Sequence, residues 1–271
     1  MPELPEVEVT RLGLKPLLKL NVEKVVIRNY SLRWPINSSL PEVLKNQTLL
    51  DLSRRGKYIL AKFTSGTLII HLGMSGRICL VSHEESLNKH DHLDIQFKKN
   101  NLILRYHDPR RFGSIIWTED DPYSHKLIKN LGPEPLKKEF NAEYLIVRLK
   151  NKKQCIKNAI MDSHVVVGVG NIYASEALYH AGIRPHRISK KISMKEIVTL
   201  VQSIKNVIKE AIIKGGSTMN DFFDVNGENG YFQNDHKVYD REDEPCFKCQ
   251  FPIKQLKLGQ RSSFFCKKCQ K

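Results

Sequence analysis

Two groups of residues in this 271-residue sequence have types and spacings that do chemistry. Cys246-Phe-Lys-Cys249 and Cys266-Lys-Lys-Cys269 are CxxC pairs with 16 residues between them. Each pair sets two thiolates on one tight turn, and two such turns make a tetrahedral S4 site suited to one Zn2+. No histidine joins the cluster and protein would fill all four positions, so the expected zinc is structural rather than catalytic. A redox dithiol pair is the alternative, but no βαβ frame surrounds it. At the other end, Pro2 follows the initiator methionine, and removal of Met1 would leave a free secondary amine. An α-amino group has a pKa of about 8, so a useful fraction is neutral and nucleophilic at neutral pH. Attack on a sugar C1′ would give an iminium, an electron sink that eases elimination. Glu3 and Glu6 stand close enough in sequence to move protons. Alone, however, a Met-Pro start is ordinary and says only that a chain begins there.

The charge balance suits a polyanion. Forty-four Lys and Arg against 29 Asp and Glu leave +15. Phosphate neutralisation with counterion release would then supply much of the affinity for nucleic acid. A basic surface that binds nothing, or one that meets anionic lipid, is the competing reading. Between Pro245 and Lys271 there are seven Lys or Arg and no acid, so the cysteine module stays basic even with a metal site of formal charge −2. No apolar run approaches the roughly 20 residues needed to cross a membrane. The acidic opening MPELPEVEVTR is unlike a secretory leader, so a bacterial-type cytoplasmic protein is expected. Clustered cysteines fit a reducing compartment, with Cys79 and Cys155 expected as small buried residues.

The elements that must position these groups follow from periodicity. A helix is expected over 5–20, with Pro5 and Glu6 in its first turn. Short apolar or alternating runs at 22–28, 49–52, 58–63, 67–72, 93–97, 102–106 and 114–118 predict an antiparallel β-sandwich or barrel. At Leu131-Gly-Pro-Glu-Pro135 the texture changes, and helices are predicted over 142–150, 155–161, 172–181 and 194–214. Residues 215–235, rich in Gly, Asn and Asp, predict a long loop. The expected organisation is α+β: a β-sandwich domain over 1–131, a helical domain with its loop over 132–235, and a zinc module over 236–271. Gly168-Val-Gly170-Asn171 opens a helical pattern, and N–H groups there suit a phosphate. The third glycine of a dinucleotide fingerprint is missing.

Motifs along the whole chain resemble one family. Met-Pro-Glu-Leu-Pro-Glu-Val-Glu8, Ser53-Arg-Arg-Gly-Lys-Tyr58, His71-Leu-Gly-Met-Ser-Gly76, His90-Asp-His92 and Asp108-Pro-Arg-Arg-Phe-Gly113 come first. Met161-Asp162 through Val167-Gly-Val-Gly-Asn-Ile-Tyr-Ala-Ser-Glu176, Gly215-Gly-Ser-Thr218, Gly230-Tyr-Phe-Gln233 and Gly259-Gln-Arg-Ser-Ser263 follow in order. Together they resemble the formamidopyrimidine-DNA glycosylases, bifunctional glycosylase/AP lyases with a β-sandwich, a helix–two-turn–helix domain and a zinc finger. The resemblance implies a monomer that excises 8-oxoguanine and formamidopyrimidines from duplex DNA and cuts by β- and δ-elimination. It implies Pro2 as Schiff-base nucleophile, Glu3 as acid, Lys57 for β-elimination and Arg261 for δ-elimination. Met74, Arg110 and Phe112 match the set that fills the void left by an extruded base. His90, Arg110, Lys152 and Asn171 match DNA contacts. The related Nei-like branch, which acts on oxidised pyrimidines, differs after Pro-Glu. From another class, a zinc-ribbon nucleic-acid binder without catalysis fits the charge and cysteines equally well, but needs neither Pro2 nor Lys57.

Overall fold

The computed structural model describes residues 1–217, 225 and 230–271, so most of the expected 215–235 loop lies outside the described residues. The chain forms two compact units, Met1–Lys129 with Lys214–Tyr231, and Asn130–Ile213 with Phe232–Lys271.

In the first unit, α1 (Leu4–Gly13) begins on a capping box in which Glu3 and Glu6 satisfy each other's backbone N–H groups. The helix ends earlier than its apolar stripe predicts and passes into a 3-10 turn, Lys15–Leu17. Pro16 accounts for this, because it lacks an N–H and disfavours helical backbone at Lys15. A short helix α2 (Leu40–Leu44) follows β1 (Val22–Ile27). The remaining strands are β2 (Leu49–Arg55), β3 (Tyr58–Phe63), β4 (Thr67–His71), β5 (Arg77–Ser82), β6 (Asp91–Phe97), β7 (Leu102–His107) and β8 (Ser114–Thr118). They make two antiparallel four-stranded sheets, ordered β1-β6-β7-β5 and β2-β3-β4-β8. Val25, Ile95 and Leu104 of one sheet and Ile59, Ile70 and Ile115 of the other share one buried core, which is the sandwich expected from the alternation. β5 escaped the periodicity reading because it is an edge strand with a single fully buried residue, Ile78.

In the second unit, α3 (Ala142–Leu149), α4 (Ile156–Met161), α5 (Asn171–His180) and α6 (Met194–Ile213) precede a hairpin of β9 (Ile253–Leu258) and β10 (Arg261–Cys266). α6 buries Ile197, Leu200, Val201, Ile204, Val207, Ile208 and Ala211, a single stripe of period 3.6. α5 is different: every residue from Ile172 to Tyr179 is buried. It is the central helix, packed against α4, α6 and β10.

Candidate active site and nucleic-acid interface

Pro2 and Glu3 are buried at the head of α1. Glu3 is the helix N-cap, and its N–H donates to Glu6 Oε2 at 2.8 Å. The other oxygen of Glu6 accepts the N–H of Ser217 at 2.9 Å. Glu6 is therefore committed to two backbone donors, one from each chain segment it joins. Further along the helix, Arg11 donates to Leu52 O at 3.0 Å and Arg54 Nε donates to Glu8 Oε2 at 2.9 Å. These two contacts fix α1 antiparallel to β2. Its N-terminal head thus points toward the end of the hairpin where Gly56 and Lys57 make the turn. Arg54 also donates to Gly56 O at 2.9 Å, holding that turn from beneath. Burial would raise the Glu8 carboxyl, but Arg11 and Arg54 outweigh it and hold it below its ordinary value.

Met74 and Phe112 are exposed, on two loops whose backbones approach closely where Gly73 meets Phe112 and Gly113. A side chain on Gly113 would lie 1.7 Å from the Tyr106 hydroxyl, so only glycine lets the second loop seat there. Asp108, fully buried, joins the loops: Oδ1 accepts from the Ser75 hydroxyl at 2.9 Å and Oδ2 from Gly113 N–H at 2.9 Å. The Arg110 guanidinium stacks 4.8 Å from the Phe112 ring centroid, so cation and wedge are presented together. Beneath Met74, His71 Nδ1 accepts the Gly73 N–H at 3.0 Å. Desolvation, with the charges of Lys57 and Arg33 beside it, lowers the His71 pKa to about 4 and keeps it a neutral acceptor. His90 packs edge-on to His92 and His107, with ring centroids 6.3 and 5.9 Å apart. Among the described residues this trio is not part of any group of metal-ligand type.

In the second unit, Asn171 is the first residue of α5, after Gly170. Its Oδ1 accepts from Lys157 Nζ at 2.7 Å, and the same ammonium donates to Ser262 O at 2.9 Å and Ser263 Oγ at 2.7 Å. Lys157 is almost wholly buried, and these three acceptors meet its ammonium where water cannot. It locks the phosphate-suited helix start to the strand that Arg261, itself exposed, begins. Nothing in the sequence marks Lys157 among its lysine neighbours except its place on the apolar face of α4. Lys152 pairs with Asp162 at 3.1 Å near the start of the two-turn segment. Glu176 accepts the N–H groups of Lys237, Val238 and Tyr239 at 2.8, 3.0 and 2.8 Å, fixing where the chain enters the cysteine module.

Cys246, Cys249, Cys266 and Cys269 offer four sulfurs within 4.8 Å of one another. Cys246 and Cys269 sulfurs are 3.9 Å apart, and those of Cys249 and Cys266 are 3.5 Å apart. Zn–S bonds of about 2.3 Å in a tetrahedron require sulfurs about 3.8 Å apart. The four residues fit that ion, and the site is closed by protein on all corners.

Residues 1–115 match the family described as Formamidopyrimidine-DNA glycosylase N-terminal domain, and 131–222 match Formamidopyrimidine-DNA glycosylase H2TH domain. A formamidopyrimidine-DNA glycosylase of Methylobacillus flagellatus is 51% identical over 270 residues, covering 100% of this chain and 96% of that protein. A mutant Lactococcus lactis FPG in complex with Fapy-dG containing DNA has a TM-score of 0.92 at 30% identity, covering 100% of both chains. The wild-type Lactococcus lactis FPG with oxidised-pyrimidine-containing DNA has a TM-score of 0.92 at 31% identity, again covering 100% of both.

Proposed function

Because this chain belongs to the formamidopyrimidine-DNA glycosylase family, and is thus a DNA glycosylase of base-excision repair, we propose that Pro2 is its nucleophile and oxidised purines in duplex DNA its substrates. The observation that carries the reading is the antiparallel setting of α1 on β2, which aims the head of the helix toward the Lys57 turn.

With Met1 removed, the Pro2 nitrogen attacks C1′ of the damaged nucleotide. A C1′–N bond forms, the glycosidic bond breaks, and the base leaves with the bonding pair and takes up a proton. Glu3 delivers a proton to the ring oxygen, the sugar opens, and the iminium results. The iminium acidifies the C2′ hydrogens. Loss of one expels the 3′ phosphate, with Lys57 at the reacting strand. A second elimination, served by Arg261, expels the 5′ phosphate, and water frees the amine. Met74, Arg110 and Phe112 fill the stack that the base vacates, and His90, Arg110, Lys152 and Asn171 hold DNA. The cysteines would hold one Zn2+, which supplies a rigid S4 crosslink and no chemistry at the sugar. The enzyme works as a monomer. A second reading, oxidised pyrimidines, has its own support, since the Lactococcus lactis relative was solved with such DNA.

The test is to incubate untagged protein with a duplex bearing 8-oxoguanine opposite cytosine, add borohydride, and map the adduct. Borohydride reduces an iminium to a stable amine. A covalent product at Pro2 is expected, and an N-terminal extension that blocks Pro2 abolishes it while much of the DNA affinity persists. Trapping only with an oxidised pyrimidine would move the substrate class. No trapping with any lesion or abasic site would remove Pro2 from the mechanism.

A further inference from the structure

A hydroxyl that the proposed repair chemistry does not use faces the cysteine module from α5. Tyr179, two turns along α5 from Asn171, is buried, and its oxygen lies 3.3 Å from Cys246 Sγ. Tyr179 belongs to the small buried core of the module, together with Val238, Ile253 and Phe264. A thiolate bound to a metal has no proton to give, so in the metal-loaded protein the hydroxyl must be the donor. Lys248 Nζ sits 5.1 Å from the centre of the Tyr179 ring. A cation over a phenol ring draws electron density from the oxygen and makes its O–H a better donor.

Four thiolates on one Zn2+ carry a formal −2, and that excess must be met by donors around the sulfurs. Cys266 Sγ accepts the Cys269 N–H at 3.4 Å, an ordinary knuckle contact. The Tyr179 contact is of another kind, because the donor belongs to a helix outside the module's own loops. We propose that Tyr179 is a positioning residue for the metal: its hydroxyl donates to the Cys246 thiolate, slows loss of zinc, and fastens the module to α5. This rests on the zinc reading of the four cysteines. α5 is then tied to the module in three places. Near its start, Lys157 joins Asn171 to Ser262 and Ser263; midway, Glu176 holds residues 237–239; near its end, Tyr179 meets a metal ligand.

The experiment uses the full-length protein, loaded with Zn2+ and then challenged with excess EDTA, zinc release being followed with a chromogenic chelator. Wild type should carry one zinc per chain. Tyr179→Phe, which deletes one oxygen and keeps the ring, should also carry one zinc but lose it about tenfold faster, a change of about 1.4 kcal/mol in the barrier. Tyr173→Phe, at another buried tyrosine of α5, should release zinc at the wild-type rate. In the Co2+-substituted protein, the thiolate-to-metal charge-transfer band of Tyr179→Phe should move to longer wavelength, because a sulfur relieved of a hydrogen bond gives up charge more easily. Equal release rates with an unmoved band would overturn the proposal. So would equal acceleration by Tyr173→Phe, which would show general loosening of the helix. A wild-type chain that takes up no zinc would overturn the zinc reading and this proposal together.

Discussion

In the first unit, the loops that carry Met74, Arg110 and Phe112 are gathered by a buried carboxylate, Asp108, and the N-terminal segment by another, Glu6. In the second, a buried lysine, Lys157, and four clustered cysteines do the gathering. The sandwich has an extended apolar core drawn from both sheets, so its carboxylates sit on a scaffold already stable without them. The cysteine module is built around six buried residues, two of them cysteines. So small a core does not fold alone, and a metal held by the four cysteines would supply what apolar burial cannot. The sandwich is thus organised by its fold and refined by polar contacts, whereas the cysteine module of the second unit would depend on its polar and metal contacts for shape.

The sharpest way to break that contrast is to remove the metal. Cys266→Ser, or exhaustive chelation, should unfold the β9–β10 hairpin, release Arg261 from its strand, and weaken DNA binding at least tenfold. The sandwich transition in thermal unfolding should survive. Circular dichroism and fluorescence anisotropy on a labelled duplex read the two effects separately. Unchanged affinity in verified zinc-free protein would show that the module is not the dependent partner.

A smaller effect is expected at Asp108. Asp108→Asn keeps the shape but turns one acceptor oxygen into a donor facing donors, which costs about 1–3 kcal/mol at a buried site. The loops bearing Met74 and Arg110 should lose their register while the head of α1 is untouched. Excision of a lesion from duplex DNA should therefore fall about tenfold or more. Borohydride trapping at a preformed abasic site, which needs less help from a void-filling wedge, should change little. Equal loss in both assays would mean that Asp108 supports the whole sandwich rather than the loops.

How much of this was legible in the sequence differs between the units for the same physical reason. The four cysteines declare their site by spacing alone, because a metal dictates its own ligand geometry. The strands of the sandwich showed as apolar runs wherever a strand buries a face, and β5 was missed because an edge strand buries little. α6 was legible from its stripe. α5, the helix that organises the second unit, is buried all round and so has no stripe to read beyond its glycine-marked start. Lys157 and Asp108 were the hardest to assign. A buried lysine and an exposed one look alike in a sequence, and a carboxylate's worth depends on which N–H groups fold around it. Pro2 and Glu3 suggest amine and proton-transfer chemistry by residue type, but a Met-Pro start is common, and Lys57 is legible only through the family resemblance.

Acid should sharpen the comparison more gently, since each unit holds a histidine whose pKa is lowered to about 4. Burial is the main cause that lowers His71 in the first unit and His236 in the second to about 4. An unfolded chain releases both near the ordinary value of about 6.5. Between those values the unfolded state binds more protons than the folded one, so stability rises with pH. The contribution is fully present above about pH 6.5 and is lost as pH falls toward 4. For His236, packed between the Phe232 and Tyr239 rings at 5.7 and 5.6 Å, the loss by pH 4 should be on the order of 2–3 kcal/mol. His236→Phe removes the titrating group and keeps the ring contacts, so Tm measured from pH 7 to 4.5 should decline less steeply than in wild type. His71→Gln should flatten the sandwich transition instead, and by less, because His71 is only partly sheltered and Gly73 still needs an acceptor. If His236→Phe leaves the pH slope of Tm unchanged, the acid sensitivity of the helical unit lies outside this histidine, as loss of a metal from protonated cysteines would place it.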